Sequence, residues 1–493
     1  MTVKKELFVH SVRLIDIANH TIIPTLLLYD NDGVHLGYEA VQRCEDPSLF
    51  NMNFKIDLGR HDPLMLDARH KTATGLRRTA FTLTRDFMRG TVENARTALV
   101  RMGSSLPTRV LIAEPIAMGN AQGINDDWLS NYRKSVIRAL HGVFDEIDFL
   151  PEPFAVFQYY RYGVRHALVA QKRKHIALIL DFGGGSFDAS IIESTKTGDI
   201  AEGGRISRPL AASSEPVGGF YLDQKVAEFL ISTVLAKGID RARLRQAWRD
   251  FDNYRNYSDE QLREVAPDIR HFTKNIRRVV HVVERGKLAI CQSISDWDLT
   301  ADLSRATAYR VSVPTNPFAE HADWRDVRFD AALLRQVFEK EVWDRKLKRA
   351  IADSLRRAKS ELAGKEISII LLSGGSANIR WMKLLLDKEF GRDLANATEV
   401  ELSENFQEIV AKGLAIECAR RFYTEGGGDF KAVTYNRLCL VFRGDAGETV
   451  VRPFKARFAT GRIAVLPQER LEMNRPRRPA DLVEHDLEES AIL

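Results

Sequence analysis

The segment LILDFGGGSFDASII, residues 178–192, contains residue types that could hold a phosphate group and a metal ion. Two apolar runs flank the glycines Gly183–Gly185, with Asp181 before them and Asp188 after them. Because glycine has no Cβ, backbone N–H groups of such a loop can approach a phosphate closely. Asp181 would hold Mg²⁺ through water, Ser186 would donate its hydroxyl, and Asp188 would add a second carboxylate. The segment therefore predicts a phosphate and magnesium site.

Two other interpretations of this segment need different surroundings. The triplet DFG is also the metal-binding triplet of protein kinases, which carry an HRD catalytic loop and a downstream asparagine ahead of it. The preceding stretch, YRYGVRHALVAQKRKHIALIL, has neither feature, so the kinase interpretation fails. A glycine hairpin without a ligand stays open on this segment alone, because a single glycine-rich loop is a weak motif.

Composition limits the class of protein. The 493 residues exceed what one compact core accommodates, so two or more domains are expected. The 72 basic and 67 acidic residues nearly cancel, which gives no reason to expect a nucleic-acid partner. No apolar run approaches the roughly 20 residues that span a bilayer, and the four cysteines form no CxxC pair. We expect a cytoplasmic protein without a membrane segment or secretory leader.

The remaining pattern alternates strands with helices and predicts α/β architecture. Strand-like runs include IIPTLLLY, RVLIA, IALIL and ISIILL, and a hairpin turn is expected at Asp30–Gly33. The middle of the chain is predicted to be helical, with apolar residues at three- and four-residue steps from Ile269 to Val283 and a helix that begins after Asp330. After Phe422 we expect a linker at residues 426–428, a small β appendage and a charged tail.

The segment LDFGGGSFDASII resembles the second phosphate motif of the actin-like ATPase superfamily, most closely that of DnaK-type heat-shock chaperones. Further segments resemble the family in its own order, from about residue 11 to residue 422. FKIDLG is similar to the stretch with the family's catalytic lysine, which would be Lys55. FLPEPFAVFQYYRYG looks like the connecting helix, whose start would place Glu152 near the attacking water. The resemblance thus implies a catalytic set of Lys55, Glu152, Asp181 and Asp188.

The resemblance also implies a nucleoside site. VGGFYLDQKVAEFL resembles the family's glycine turn, with Gly218 and Gly219, and VERGKLAI is similar to its adenosine helix. Glu284 and Lys287 of that helix would meet the ribose and the adenine. ISIILLSGGSANIRWMKLLL looks like the adenosine motif, and the residues implied for the base are Gly374, Gly375 and Ser376. The cofactors implied are ATP or ADP with Mg²⁺.

The fold that the resemblance implies has two α/β lobes around a central nucleotide cleft. Lobe I would comprise residues 1–160 and the return helix 404–422. Lobe II would comprise residues 161–403, with a helical insertion at about 222–290. Residues 423–493 would form the β appendage and a flexible tail. The implied function is that of a slow ATP hydrolase that acts as a nucleotide-dependent switch on an unidentified protein partner.

The chain departs from the family pattern at several points. The first phosphate loop of the family, Asp-x-Gly-Thr-Thr, occurs nowhere in the sequence, so either the start is shortened or the ATPase is degraded. Asn378 and Leu288 stand where the family has arginines, and Gln407 stands where it has an acidic residue. The roughly 70 residues after Phe422 are too few for a client-binding domain. A pseudo-ATPase scaffold and an actin-like filament protein therefore stay open as alternatives.

Overall fold

The computed structural model describes most of the chain with gaps between its parts. The described residues are 12, 14–43, 49–52, 54–59, 68–70, 78–115, 126–160, 174–195, 208–255, 257, 259–362, 364–400, 406–423, 439–443 and 449–453. The architecture is mixed α/β, which confirms the predicted class. The division into two lobes around a cleft stays a prediction.

The first part of the chain contains short strands and two long helices. Its elements are β1 Leu26–Asp30, β2 Gly33–Leu36, α1 Gly37–Arg43, β3 Asn51–Met52, α2 Phe54–Leu58, β4 Ala68–His70, β5 Arg78–Thr79, α3 Ala80–Arg101, β6 Arg109–Glu114, α4 Asp126–Leu140, β7 Glu146–Pro151 and α5 Glu152–Gln158.

The second part begins with the strand that precedes the glycine loop. Its elements are β8 Lys174–Phe182, β9 Phe187–Thr195, β10 Arg208–Glu215, α6 Gly219–Val234, α7 Arg241–Tyr254, α8 Asp259–Val265, α9 Arg270–Ser293, β11 Tyr309–Pro314, β12 Trp324–Phe329, α10 Ala331–Val337, a π-helix Phe338–Leu347, α11 Lys348–Leu362, β13 Ile369–Ser373, α12 Trp381–Phe390, β14 Thr398–Val400 and α13 Ile409–Tyr423.

The first part forms separate small sheets among its described residues. Strands β2, β1 and β3 make an antiparallel sheet, and the predicted turn at Asp30–Gly33 is confirmed because these two residues pair across it. Strands β6 and β7 form a parallel pair, and β4 pairs with β5. Helix α3 begins where the Thr79 hydroxyl accepts a 3.0 Å hydrogen bond from the Thr82 N–H group, a side-chain N-cap.

The second part contains one five-stranded sheet in the order β10, β9, β8, β13, β14. Strand β13 pairs in parallel with β8 on one side and with β14 on the other. Strands β8, β9 and β10 form an antiparallel meander. Because side chains alternate along a strand, β8 sends Leu178 and Leu180 to one core and Ala177 and Ile179 to another. The sheet is therefore covered on both faces.

The two covering layers come from different parts of the chain. One face of the sheet packs against helices α6, α9 and α11 in the largest hydrophobic core. The other face packs against α5, with Phe154 and Phe157, and against α13, with Ile409. Helices α5 and α13 cross so closely that a Cβ on Gly413 would lie 1.8 Å from the Ala155 carbonyl oxygen. Glycine at this crossing lets α5 lie against the strand that precedes the glycine loop.

The prediction that the middle of the chain is helical is wrong for residues 309–329. Strands β11 and β12 form an antiparallel hairpin there. Val311 and Val313 are buried while Arg310 and Ser312 are exposed, so the segment has the period of a strand and not that of a helix. The predicted helix start is confirmed at Asp330, whose carboxylate accepts a 3.0 Å hydrogen bond from the Leu333 N–H group.

The predicted β appendage is present as a hairpin of β15 Cys439–Arg443 and β16 Thr449–Pro453. The predicted linker at residues 426–428 and the charged tail lie outside the described residues. No helix within the described part of the chain is both long and apolar enough to cross a membrane.

Candidate functional site

The glycine segment folds as a hairpin between β8 and β9. Asp181 and Asp188 are direct cross-strand partners, and Phe182 pairs with Phe187 next to the turn. The Gly183 N–H group donates a 3.0 Å hydrogen bond to the Ser186 carbonyl and closes the loop. Gly184 is exposed, and a Cβ built on it would meet no atom within 4 Å. The loop therefore leaves open space beside its backbone, as a phosphate site requires.

The two aspartates of the hairpin are buried. Asp188 is 1% exposed, and the hydroxyl groups of Ser214 on the neighbouring strand and Ser186 on the same hairpin lie close enough to favour its ionised form. Burial, together with the negative charge of Glu152, raises the pKa of Asp188 to about 7. The same two causes raise the pKa of Asp181 well above its ordinary value. Two carboxylates buried side by side are costly when both are ionised, so this site favours a cation.

A lysine from the first part of the chain faces these carboxylates. Lys55 is the second residue of α2, and its Nζ donates a 2.6 Å hydrogen bond to Oε1 of Glu152, the first residue of α5. The Lys55 side chain is 42% exposed and that of Glu152 is 14% exposed, so the pair is partly open to solvent. Burial lowers the pKa of Lys55, but Glu152 and Tyr132 outweigh it, and the pKa is raised. Asp188 acts in the same direction.

A second ion pair supports the cluster and was missed by the sequence analysis. Arg133 donates hydrogen bonds of 2.7 and 2.6 Å to the two carboxylate oxygens of Glu114. Burial raises the pKa of Glu114, although Arg133 opposes the shift. The Tyr132 hydroxyl donates a 2.9 Å hydrogen bond to the Ala113 carbonyl. The sequence features that could have indicated this pair were the glutamate at the end of β6 and the adjacent Pro115.

The glycine turn at Gly218 and Gly219 packs directly on the loop. The N–H groups of Gly219 and Phe220 donate hydrogen bonds of 3.1 and 3.0 Å to the carbonyls of Gly183 and Gly184. A Cβ on Gly218 would lie 2.3 Å from the Gly184 backbone. The first amides of α6 are therefore occupied by the loop itself.

The turn after β13 closes the other side of the loop. Gly374 has a φ of +86°, and a Cβ there would lie 2.4 Å from the Phe182 carbonyl oxygen. The Ser376 hydroxyl donates a 2.8 Å hydrogen bond to the Gly183 carbonyl. These contacts bring the predicted residues Gly374 and Ser376 against the glycine hairpin, so three glycine turns share one location.

The lysine of the predicted adenosine helix contacts this turn cluster. Lys287 on α9 donates hydrogen bonds of 2.8 Å to Asp223 and 3.3 Å to the Gly219 carbonyl. Burial raises the pKa of Asp223 to about 7 although Lys287 opposes the shift, and the negative charge of Glu284 adds to the rise. Asp223 was missed; its position four residues after Gly219, on the same face of α6, was the signal.

The residues that depart from the family pattern lie around the same turn. The side chain of Gln407 lies against Gly375, where a Cβ would approach its Nε2 to 2.4 Å. The Asn378 side chain donates a 2.9 Å hydrogen bond to the Gly375 carbonyl. Leu288, beside Lys287 on α9, is 55% exposed. The Asn378 carboxamide thus bonds the turn and the Gln407 carboxamide packs against it, with an apolar side chain exposed on the neighbouring helix.

The structure therefore brings Lys55, Glu152, Asp181 and Asp188 together at one end of the five-stranded sheet. Within the described residues, no three His, Cys, Asp or Glu side chains are arranged to hold a metal ion directly. Carboxylates beside an open glycine loop fit a hydrated Mg²⁺ that also contacts phosphate oxygens. Such an arrangement suits phosphoryl chemistry, in which positioning and charge neutralisation supply most of the rate.

No protein-family model matches the chain. Among curated proteins, one named "Chaperone protein DnaK" from Deinococcus deserti is 24% identical over 272 residues, which are 55% of this chain and 34% of the relative. A protein of the same name from Deinococcus radiodurans has the same identity and coverage. "Heat shock 70 kDa protein 7, chloroplastic" from Arabidopsis thaliana is 25% identical over 252 residues, 50% of this chain and 27% of the relative.

The matched region spans about a third or less of the length of these curated relatives. It covers about half of this chain. The identities agree with the family that the glycine segment and the ordered motifs resemble. Over that half the chain is similar, at low identity, to proteins named as DnaK-type heat-shock proteins.

Proposed function

We propose that this chain binds Mg²⁺-ATP at the glycine hairpin and hydrolyses it slowly, so that the bound nucleotide changes its affinity for a protein partner. One observation carries the proposal: a buried carboxylate pair on a glycine loop faces the Lys55–Glu152 ion pair. Ionised Asp181 and Asp188 would be buried next to each other and to Glu152, and a hydrated Mg²⁺ would offset that negative charge.

Each side chain of the cluster has a role in this proposal. Asp181 and Asp188 hold Mg²⁺ through water, and the backbone of Gly183–Gly185 lies against the phosphates. The Lys55 ammonium neutralises charge on the transferred phosphoryl group. Glu152 accepts a hydrogen bond from the attacking water and orients it. Mg²⁺, when bound, polarises the phosphate oxygens.

The nucleoside would lie beside the second and third glycine turns. Lys287, held at the Gly219 carbonyl by Asp223, provides a buried amine for the ribose or the base. Glu284 is one helical turn before it on α9 and provides a partly exposed carboxylate. The turn Gly374–Ser376 provides a flat backbone surface for the base. The proposed partner switch follows if ATP and ADP stabilise different arrangements of these turns.

The direct experiment is calorimetric titration of Mg²⁺-ATP into the full chain. We expect micromolar binding, weakened about tenfold or more in Asp181→Asn and in Asp188→Asn, because each loses a carboxylate beside the metal. Glu193→Gln is a matched control on the same hairpin, since Glu193 pairs with Lys365 at its far end. Unchanged affinity in both aspartate variants would refute the site.

A pseudo-ATPase scaffold is the second candidate, and one observation favours it. The first amides of α6, which could have met a phosphate, already donate to the carbonyls of Gly183 and Gly184. A scaffold predicts nucleotide binding without turnover, or no binding. Single-turnover measurements with the full chain distinguish these outcomes, since a slow hydrolase converts bound ATP to ADP in a manner that Lys55→Met abolishes.

A further inference from the structure

Helix α7 of the helical insertion exposes a stripe of arginines. Arg241, Arg245 and Arg249 are all exposed and follow one another at four-residue steps. This spacing places them on one face of the helix, about 6 Å apart along its axis. The opposite face buries Ala247 and Phe251 in the core. The stripe is thus a surface feature of a well-packed helix.

The described part of the chain does not neutralise the stripe: Asp252, which helical spacing places on the same face, accepts hydrogen bonds from Gln224 and Arg255 instead. None of its three guanidinium groups makes a hydrogen bond or an ion pair there, whereas other arginines nearby do. Arg243 donates to the Asp268 carbonyl and lies 4.2 Å from the Phe318 ring, and Arg270 pairs with Asp259. Like charges four residues apart destabilise a helix. An acidic partner would remove that repulsion.

The chain itself contains a segment of the required charge. Residues 481–493, DLVEHDLEESAIL, contain five carboxylates and no lysine or arginine. Two of them, Glu484 and Glu488, have the same four-residue spacing as the arginines. Roughly 30 residues separate this segment from the end of β16 at Pro453, a tether of up to about 100 Å when extended. Such a tether is several times the radius of gyration of roughly 23 Å expected for a compact chain of this length, so α7 lies within its range.

We propose that the acidic segment 481–489 docks on the arginine stripe of α7 in the same molecule. Charge complementarity selects this occupant, and the covalent connection favours it over a free acidic peptide, because attachment within one chain raises the effective concentration of the segment. Each exposed ion pair contributes little alone, so the contact is weak, reversible and sensitive to salt. Docking would cover the outer face of the insertion. The proposal does not depend on the nucleotide site.

Zero-length cross-linking of the full chain tests the proposal. A carbodiimide joins a lysine amine to a carboxylate in contact, and exposed Lys237 lies four residues before Arg241, within about 14 Å of it. At low salt we expect intramolecular cross-links from Lys237 to residues 481–489, identified by mass spectrometry of the monomer band. Their yield should fall about fivefold or more at 0.5 M salt.

Two matched variants identify the surface. Replacement of Arg241, Arg245 and Arg249 by glutamine should lower the cross-link yield about fivefold. Replacement of three other exposed arginines, Arg305, Arg310 and Arg325, removes the same charge elsewhere and should leave the yield within twofold. Equal yields in all three proteins, or no cross-link in the wild type, would overturn the proposal. Cross-links confined to dimers would replace it with docking on a second copy of the chain.

Discussion

The two sides of the candidate site are built differently. The side with Asp181 and Asp188 belongs to a five-stranded sheet that is covered by helices on both faces. The side with Lys55 and Glu152 rests on the five-residue helix α2 and on the junction of β7 and α5, in a part whose described strands form separate small sheets. The glycine loop is therefore fixed by a continuous strand ladder, whereas Lys55 and Glu152 are positioned by the apolar packing of α2 and α5 and by their own ion pair.

The largest expected effect is a loss of stability on the side of the site that contains the five-stranded sheet. Gly374→Ala places a Cβ 2.4 Å from a backbone oxygen at a φ of +86°, so the turn must move. We expect a loss of about 3 kcal/mol or more in the free energy of unfolding, measured by urea denaturation. Gly103→Ala, at a φ of +67° with open space around it, should cost only about 1 kcal/mol. Equal losses would show that the turn is not tightly packed.

The next largest effect is on ATP turnover and concerns the side of the site that contains Lys55 and Glu152. Lys55→Met removes the cation that faces the carboxylates, so we expect ATP turnover to fall about 100-fold while Mg²⁺-ATP affinity falls less than tenfold. Lys225→Met is the control, because Lys225 forms a 2.8 Å pair with Glu228 away from the hairpin. If both variants lose turnover equally, the role of Lys55 is not specific.

The buried carboxylate predicts a dependence on pH. The folded-state pKa of Asp188, about 7, exceeds the ordinary value of 3.8, so the folded chain keeps a proton that the unfolded chain loses. This contribution to stability is complete below about pH 4 and lost as the pH rises to about 7. The Asp188→Asn variant has no carboxyl group to protonate at this position, so it lacks this pH-dependent contribution.

Relative to the wild type, that variant should therefore gain about 2 kcal/mol between pH 5 and pH 7.5. Urea denaturation without Mg²⁺ at both values measures this difference, with Glu193→Gln as the control. A difference that does not change with pH would mean that Asp188 is already ionised at pH 5.

The smallest expected effect is a change in stability that is confined to the first part of the chain. Arg89 donates hydrogen bonds of 2.7 and 2.9 Å to the carbonyls of Ala139 and His141 at the end of α4. Arg89→Leu should cost about 1 kcal/mol of stability and leave Mg²⁺-ATP affinity within twofold. Arg85→Leu, which loses an exposed pair with Asp86, should cost less. A large loss of nucleotide binding in Arg89→Leu would show that the small sheets control the site after all.

The hairpin side of the site was predictable from local pattern. A glycine turn between two apolar runs sets the register, and the register makes Asp181 and Asp188 partners. The position of Lys55 beside Glu152, by contrast, joins residues 97 apart and followed only from the resemblance to a family. Neither the Glu114–Arg133 pair nor the Lys287–Asp223 pair was predicted, because no local pattern identifies which charges will be buried together.

The fold shows the same limit. Periodicity predicted helix α9, where apolar residues recur at three- and four-residue steps, and apolar runs predicted strands β8 and β13 of the central sheet. The hairpin β11–β12 was mistaken for helix because it is flanked by long helices, although Val311 and Val313 alternate with exposed residues. The close approach of Gly413 to Ala155 depends on how two distant helices cross, and no local signal contains that information.

The two hydrogen bonds from the start of α6 to the glycine loop have a mechanical consequence. They couple the movement of the loop to that of the helix, since neither can shift without breaking hydrogen bonds to the other. Helix α6 has 16 residues and is about 24 Å long. A tilt of about 5° at the loop would therefore displace its far end, near Val234, by about 2 Å. A sub-ångström adjustment around a bound anion would be amplified several-fold at a surface remote from it.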